Sequence, residues 1–355
     1  MSSDEEITIL VCSAISTVGL IFVLFTFYLK QELLNKNYHK LIFYACLSEF
    51  FGTLGGLTGL HDEATPACYF QWFMSNYFLL AAILWIFLIT MELYFTVILG
   101  KSIKNFKLYH IFCWGFPLIA TLLPLSTERV GVFVGNEWCY LIPGENSTAW
   151  TYGFWIFASF YIWVWLSILV MLIIYARLYI YARSVSAKAL HTIISQAVYK
   201  LIGYPIISAL IWIIPAIRDS YAAVNKTDAG KFLEPPLREL SDGLPFLGGI
   251  LSAFVFFYTN QSLVKGWKSY FNSGKFVSRD TEQKARTSTS PPGINLVTSD
   301  VVASSRETEV TNPMDSIAKE QSSFSSQTGS IRVSSFSLLY NLESNDGKTT
   351  ELSNK

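Results

Sequence analysis

The stretch Cys68–Gly100, CYFQWFMSNYFLLAAILWIFLITMELYFTVILG, is apolar on every face of a helix and carries one charged side chain, Glu92, near its far end. A bilayer core about 30 Å thick takes roughly 20 helical residues, so a run this long crosses at a tilt and projects beyond. A tilted, overlong helix belongs in the middle of a bundle. The run opens on a cysteine, and a second one, Cys139, follows the next apolar segment in the sequence WCYL. The working expectation is that these two sulfurs staple the outer end of a central helix to an extracellular loop.

Composition sets the class. Of the 355 residues, 52% are hydrophobic and only 15% charged, too apolar for a water-soluble domain of this size. Cys12, Cys46 and Cys113 fall inside apolar segments as free core residues, which leaves Cys68 and Cys139 facing loops. The leading residues MSSDEE carry acids and no base, unlike a secretory signal, so the first segment is expected to be a retained span behind a short external N-terminus (1–6).

Working outward from 68–100, six further apolar segments stand out, near 7–29, 41–60, 108–125, 151–176, 201–217 and 243–262. The expected fold is an all-α integral membrane protein, a seven-transmembrane helix bundle over 7–262. Loop charges orient it. Bases cluster after spans one, three, five and seven: Lys30, Lys36 and Lys40; Lys101, Lys104 and Lys107; Arg177, Arg183, Lys188 and Lys200; Lys265, Lys268 and Lys275. The other side holds Arg129, then Arg218, Lys226, Lys231 and Arg238, read as loop residues after span six. The positive-inside rule therefore expects the N-terminus outside and the tail in the cytosol. Two sequons, at Asn146 and Asn225, fall in loops assigned outside and are candidate glycosylation sites.

Beyond span seven, LVKGWKSYF alternates basic and aromatic residues and reads as an interfacial amphipathic helix over 263–273, with Trp267, Tyr270 and Phe271 inward and Lys265 and Lys268 toward headgroups. From 274 to 355 the chain turns to Ser, Thr, Asn, Asp, Glu and Gln, a composition that cannot bury enough apolar surface to fold. This disordered cytosolic tail is a candidate substrate for kinases and a docking site for an arrestin-like adaptor.

No enzyme constellation appears: the four histidines sit at segment edges without metal-ligand spacing, and there is no phosphate-binding glycine loop. Catalysis, a cofactor and a nucleic-acid partner are not expected. Two acids lie within spans, Glu49 and Glu92, and a charge at mid-bilayer costs on the order of 3 kcal/mol. Glu49 reads as a polar hub or cation site whose occupancy differs between helix arrangements. Glu92, about 13 Å along the helix from Lys101, reads as a latch pairing with Tyr94 or a base such as Arg177. In span six, Pro205 and Pro215 flank Trp212 and supply the capacity for a kink and a swing. An outer cavity is expected among Trp72 and Asn76, Trp155, Trp212 and Arg218, with Arg129 and Arg218 suited to an anion.

On Cys68-Tyr69, Trp85, Cys113-Trp114-Gly115-Phe116-Pro117, Phe133-Val134-Gly135-Asn136, Trp138-Cys139 and Phe257-Tyr258-Thr259-Asn260, the chain resembles the cAMP-receptor-like group (class E) of G-protein-coupled receptors. The WG-x-P element and Glu92-Leu93-Tyr94 are also similar to secretin-type receptors. The resemblance implies a plasma-membrane receptor that passes a small extracellular signal, cAMP-like in chemistry, to a heterotrimeric G protein, with a Cys68–Cys139 disulfide. The competing reading is a seven-helix transporter or channel, which predicts internal repeats and several midplane charges. The sequence shows no convincing repeat, and a light-sensing opsin is disfavoured because span seven lacks a lysine.

Overall fold

Thr65 and Pro66 start the central helix as its sequence suggests: the Thr65 side chain accepts from the Cys68 N–H, and Pro66 occupies the first turn, where its missing donor costs nothing. The computed structural model describes residues 3–59, 61, 64–101, 105–133, 136–142, 149–184, 198–199, 201–225 and 235–274. Seven spans appear among them. Span one is α1 (Ser3–Leu29), span two α2 (Asn37–Gly56) and span three α3 (Pro66–Val97). Span four joins α4 (Phe106–His110) and α5 (Phe116–Ser126) through a π-helical turn at Ile111–Gly115. Span five joins α6 (Ala149–Ile156) and α7 (Ile162–Ser184) through a second π-helical turn at Phe157–Tyr161. Span six is α8 (Gly203–Asn225), span seven α9 (Pro235–Thr259), and a further helix, α10 (Gln261–Ser273), follows.

Five of the seven are long and apolar enough to cross a membrane by length and composition. This is a multi-pass membrane protein. Span three is the central one: 72% of its most apolar window is buried, against 22–50% in the other four. It touches spans two, four, five and six, while span one packs between two and seven. Small residues set the closest approaches. A Cβ at Gly249 of span seven would lie 2.4 Å from Leu20 Cδ1 of span one, and a Cβ at Gly52 of span two would lie 2.7 Å from Leu79 Cδ2 of span three.

Between spans four and five the chain forms an antiparallel hairpin, β1 (Val130–Phe133) and β2 (Asn136–Leu141), with Val130 opposite Leu141 and Val132 opposite Cys139. It lies over one end of the bundle, called here the hairpin end.

Two sequence expectations change. Spans five, six and seven run longer than their apolar cores, to Ser184, to Asn225 and from Pro235, so Arg218 is a helical residue and not a loop residue. Its charge is compensated by neighbours, which lets the helix continue where hydropathy alone ends it. Pro205 sits in the first turn of α8, next to a turn at Ile202, and defines where that helix begins; the interior prolines are Pro215 of span six and Pro245 of span seven. In α10, Trp267 is buried and donates to Thr26 Oγ1 of span one at 2.8 Å, whereas Phe271 is 70% exposed. Lys265 and Lys268 are exposed, and Gly274 closes the helix in the left-handed region at φ 66°.

Candidate functional site

Cys68 and Cys139 are joined by a disulfide, with Cα atoms 5.3 Å apart, tying β2 to the start of span three. Gln71, one turn further along span three, strengthens the tie. Its Oε1 accepts from the Cys139 N–H at 3.1 Å, and its amide donates to Thr58 Oγ1 and the Gly59 carbonyl. The neighbour of Cys139 therefore has a fixed position. That neighbour is Tyr140, whose ring meets Trp72 edge-on at 5.8 Å and whose hydroxyl donates to Asp219 Oδ2 at 3.1 Å.

Asp219 belongs to a buried ionic cluster. Its Oδ1 accepts from Arg218 Nε at 2.8 Å, Arg218 Nη1 donates to Asp242 of span seven, and Tyr161 of span five donates to Asp219 Oδ2. The Arg218 side chain is 13% exposed, which makes this an ion pair largely removed from water. Tyr161 reaches it from the last residue of the π-helical turn in span five, where an extra residue rotates the side chains that follow. One cluster thus gathers the hairpin and spans five, six and seven. With one guanidinium and two carboxylates it carries a net charge of −1 when all three are ionised. An anionic ligand gains Arg218 only if a carboxylate leaves it.

Behind the cluster, Arg218, Pro215, Ile211 and Ser208 occupy one face of span six, at spacings of three and four, and Asp242, Pro245, Gly249 and Ser252 one face of span seven. Ten residues of helix, about 15 Å, separate the two ends of each row. At the deeper end Ser252 donates to Glu49 Oε1 at 2.9 Å, and Glu49, Thr53, Ser208 and Trp212 line a small cavity.

The remaining predicted residues are distributed more widely than one cavity. Asn76 faces span four, donating to Thr121 Oγ1 at 2.8 Å, and the Trp72 indole donates to the Thr121 carbonyl, so Trp72 reaches the cluster only through Tyr140. Trp212 lies deeper, against Phe160. Trp155 is half-buried in α6, where its carbonyl accepts from Ser159. Arg129 stands at the foot of β1 with a buried Nη1 that has no hydrogen-bond partner. Glu92 is buried within span three, Tyr94 stacks edge-on against Phe95, and Arg177 is exposed. Asn146 lies outside the described residues, and Asn225 ends α8. Tyr140, Tyr161, Asp219 and Asp242 were absent from the sequence-based set. The signal was there in part: the adjacent Arg218-Asp219, and Asp242 at the edge of the next apolar run.

The family described as slime mold cyclic AMP receptor matches residues 1–274. The chain belongs to that family. The match takes in the described bundle, its hairpin and the cluster. Cyclic AMP receptor 1 of Dictyostelium discoideum is 27% identical over 252 residues, 69% of this chain and 61% of that protein. G-protein coupled receptor 1 of Arabidopsis thaliana is 27% identical over 159 residues, 44% of this chain and 46% of that protein. The chain thus spans about three fifths or less of the length of these relatives. Squid rhodopsin shares the fold, with a TM-score of 0.56 at 13% identity over 82% of this chain and 94% of the rhodopsin chain.

Proposed function

We propose that this chain is a plasma-membrane G-protein-coupled receptor that converts binding of a small extracellular ligand at the hairpin end into activation of a heterotrimeric G protein at the opposite end. Family membership supports the class. One observation carries the mechanism: the Arg218–Asp219–Asp242 cluster is bonded to Tyr140 of a hairpin that a disulfide and Gln71 hold to span three. A ligand that enters beneath the hairpin and competes for Arg218 or Asp219 changes how spans six and seven are held together. Pro215 and Pro245 interrupt the backbone ladders of those two spans, which makes them the elements best able to respond. The result is a population shift between two helix arrangements.

A ligand bearing a phosphate suits Arg218, since a guanidinium matches phosphate oxygens in a bidentate pair, and cyclic AMP, named in the relatives, has that chemistry. The basic residues that follow spans one, three, five and seven support an orientation with the hairpin end outside, by the positive-inside rule. In that orientation the sequons at Asn146 and Asn225 face the glycosylating compartment, and kinases and an arrestin-like adaptor meet the residues after 274.

The test is nucleotide exchange on purified heterotrimeric G proteins mixed with the reconstituted full chain, over a ligand panel that includes cyclic AMP and other phosphate-bearing nucleotides. Ligand-dependent exchange is expected, lost in Arg218→Ala. No exchange with any ligand across several G-protein classes overturns the receptor reading.

A further inference from the structure

The cluster at the hairpin end shares one guanidinium between two acids. Arg218 gives its Nε to Asp219 Oδ1 and its Nη1 to Asp242 Oδ1, while Asp219 Oδ2 accepts from the hydroxyls of Tyr140 and Tyr161. Asp219 is buried and Asp242 partly so. Each neighbouring element presents its own group to them: Arg218 on span six, Tyr140 on the hairpin, Tyr161 on span five and, beside Asp242, the Cys12 thiol and Thr8 that span one brings up to Gly243. Phenols and thiols are ordinarily uncharged near neutral pH, so the shared guanidinium is what these groups offer the carboxylates as a counter-charge.

That ratio restricts what can bind. A phosphate that takes the guanidinium leaves a carboxylate without its cation, beneath a hairpin that Tyr140 holds against Asp219. The net charge of the cluster would then pass from −1 to −2 in a site largely removed from water. A buried carboxylate that has lost its cation takes up a proton rather than stay charged, because an unpaired charge away from water is far more costly than a neutral acid. One proton restores the charge that the cluster had before the anion entered.

We propose, on the reading that an anionic ligand competes for Arg218, that Asp219 and Asp242 together bind one proton with each phosphate anion, so that the ligand enters as an anion accompanied by a proton. The proton belongs to the pair and not to one member, because two acids on one guanidinium titrate together. Without ligand, Arg218 keeps both carboxylates ionised; with ligand, one of them is protonated. Affinity therefore rises as pH falls, by about tenfold per pH unit wherever the free pair is ionised and the bound pair protonated. Extracellular acid makes such a receptor more sensitive to its ligand.

The experiment is calorimetric titration of the purified full chain in lipid nanodiscs with cyclic AMP, repeated in buffers of different ionisation enthalpy, which counts the protons bound with the ligand. Cyclic AMP suits the purpose because its phosphodiester keeps one negative charge near neutral pH and its adenine is uncharged there. The wild type is expected to take up about one proton per ligand and to lose affinity about tenfold per pH unit on the alkaline side of neutrality. Asp219→Asn and Asp242→Asn each remove the need for the proton, so each is expected to bind without uptake, and more tightly than the wild type at alkaline pH. Wild-type binding without uptake overturns the proposal and leaves the receptor reading standing. Uptake retained in either variant also overturns it, since the proton then sits elsewhere. Should the variants fail to fold, the wild-type count decides: about one proton supports the linkage and none overturns it. No binding of cyclic AMP or of any other phosphodiester overturns the proposal and the phosphate-bearing ligand together, whereas the receptor class stands or falls by nucleotide exchange.

Discussion

At Arg218 a single guanidinium holds carboxylates from two helices, and one of those carboxylates also accepts from tyrosines of the hairpin and of span five. Replacing a whole buried ion pair by apolar groups of the same volume is often neutral, but removing one partner leaves the other charge buried without compensation and costs about 3–5 kcal/mol. Asp219→Asn leaves Arg218 paired with Asp242, so it costs less than that: the weakened hydrogen bonds from Arg218, Tyr140 and Tyr161 should lower the unfolding free energy by about 1.5–3 kcal/mol, seen as a lower thermal midpoint in detergent. Tyr140→Phe removes one hydrogen bond to a charged group at constant volume. Its stability cost is about 1.5–3 kcal/mol, and because the bond joins hairpin to helix it should also change ligand potency in the exchange assay. An unchanged midpoint in Asp219→Asn would remove the cluster from this account of the hairpin end. These residues were only half legible beforehand. Hydropathy ends span six before Arg218 because it scores each residue by its own transfer cost, and the compensation comes from Asp242, 24 positions away in sequence.

The hairpin and the small-residue contacts act at the scale of elements. The Cys68–Cys139 bridge closes a loop of 71 residues, worth roughly 4 kcal/mol in the chain-entropy view. Cys68→Ser should impair surface expression or ligand response, and normal behaviour of both would detach the hairpin from function. Spans one and seven meet where Gly249 lies against Leu20 and where the Ile250 N–H donates to Ser16 Oγ at 3.1 Å. A methyl group at Gly249 cannot fit without moving Leu20, so Gly249→Ala should cost about 1–3 kcal/mol and lower the midpoint. The cysteine pair was visible in the sequence because the other three cysteines fall inside apolar segments and these two face loops. The glycine contacts were not, since a glycine in an apolar run reads the same whether it faces lipid or a neighbouring backbone. The proline reading divides along the same line: Pro215 is interior as expected, while Pro205 falls in a first turn because the helix starts at Gly203.

For the whole molecule, a candidate ligand site at the hairpin end and a buried acid about 15 Å deeper share the same faces of spans six and seven. In the proposed receptor, coupling between them takes the form of a differential stabilisation of helix arrangements, not of a signal sent along one helix. The family match stops at residue 274, where the composition turns polar. Truncation after Gly274 should leave the thermal midpoint of the bundle unchanged, and a clear drop would show that the later residues pack on it. The sequence by itself determined the class, the number of spans, the central place of Cys68–Gly100 and the cysteine pair, because these follow from apolar run length and from which residues fall outside the runs. Only the tertiary structure decided that Trp72 and Asn76 turn to span four, that Arg218 is locked between carboxylates, and that Glu49 shares a cavity with Ser208. Those facts depend on helix rotation and on partners far apart in sequence, which set the environment of each polar side chain and leave no local pattern in the chain.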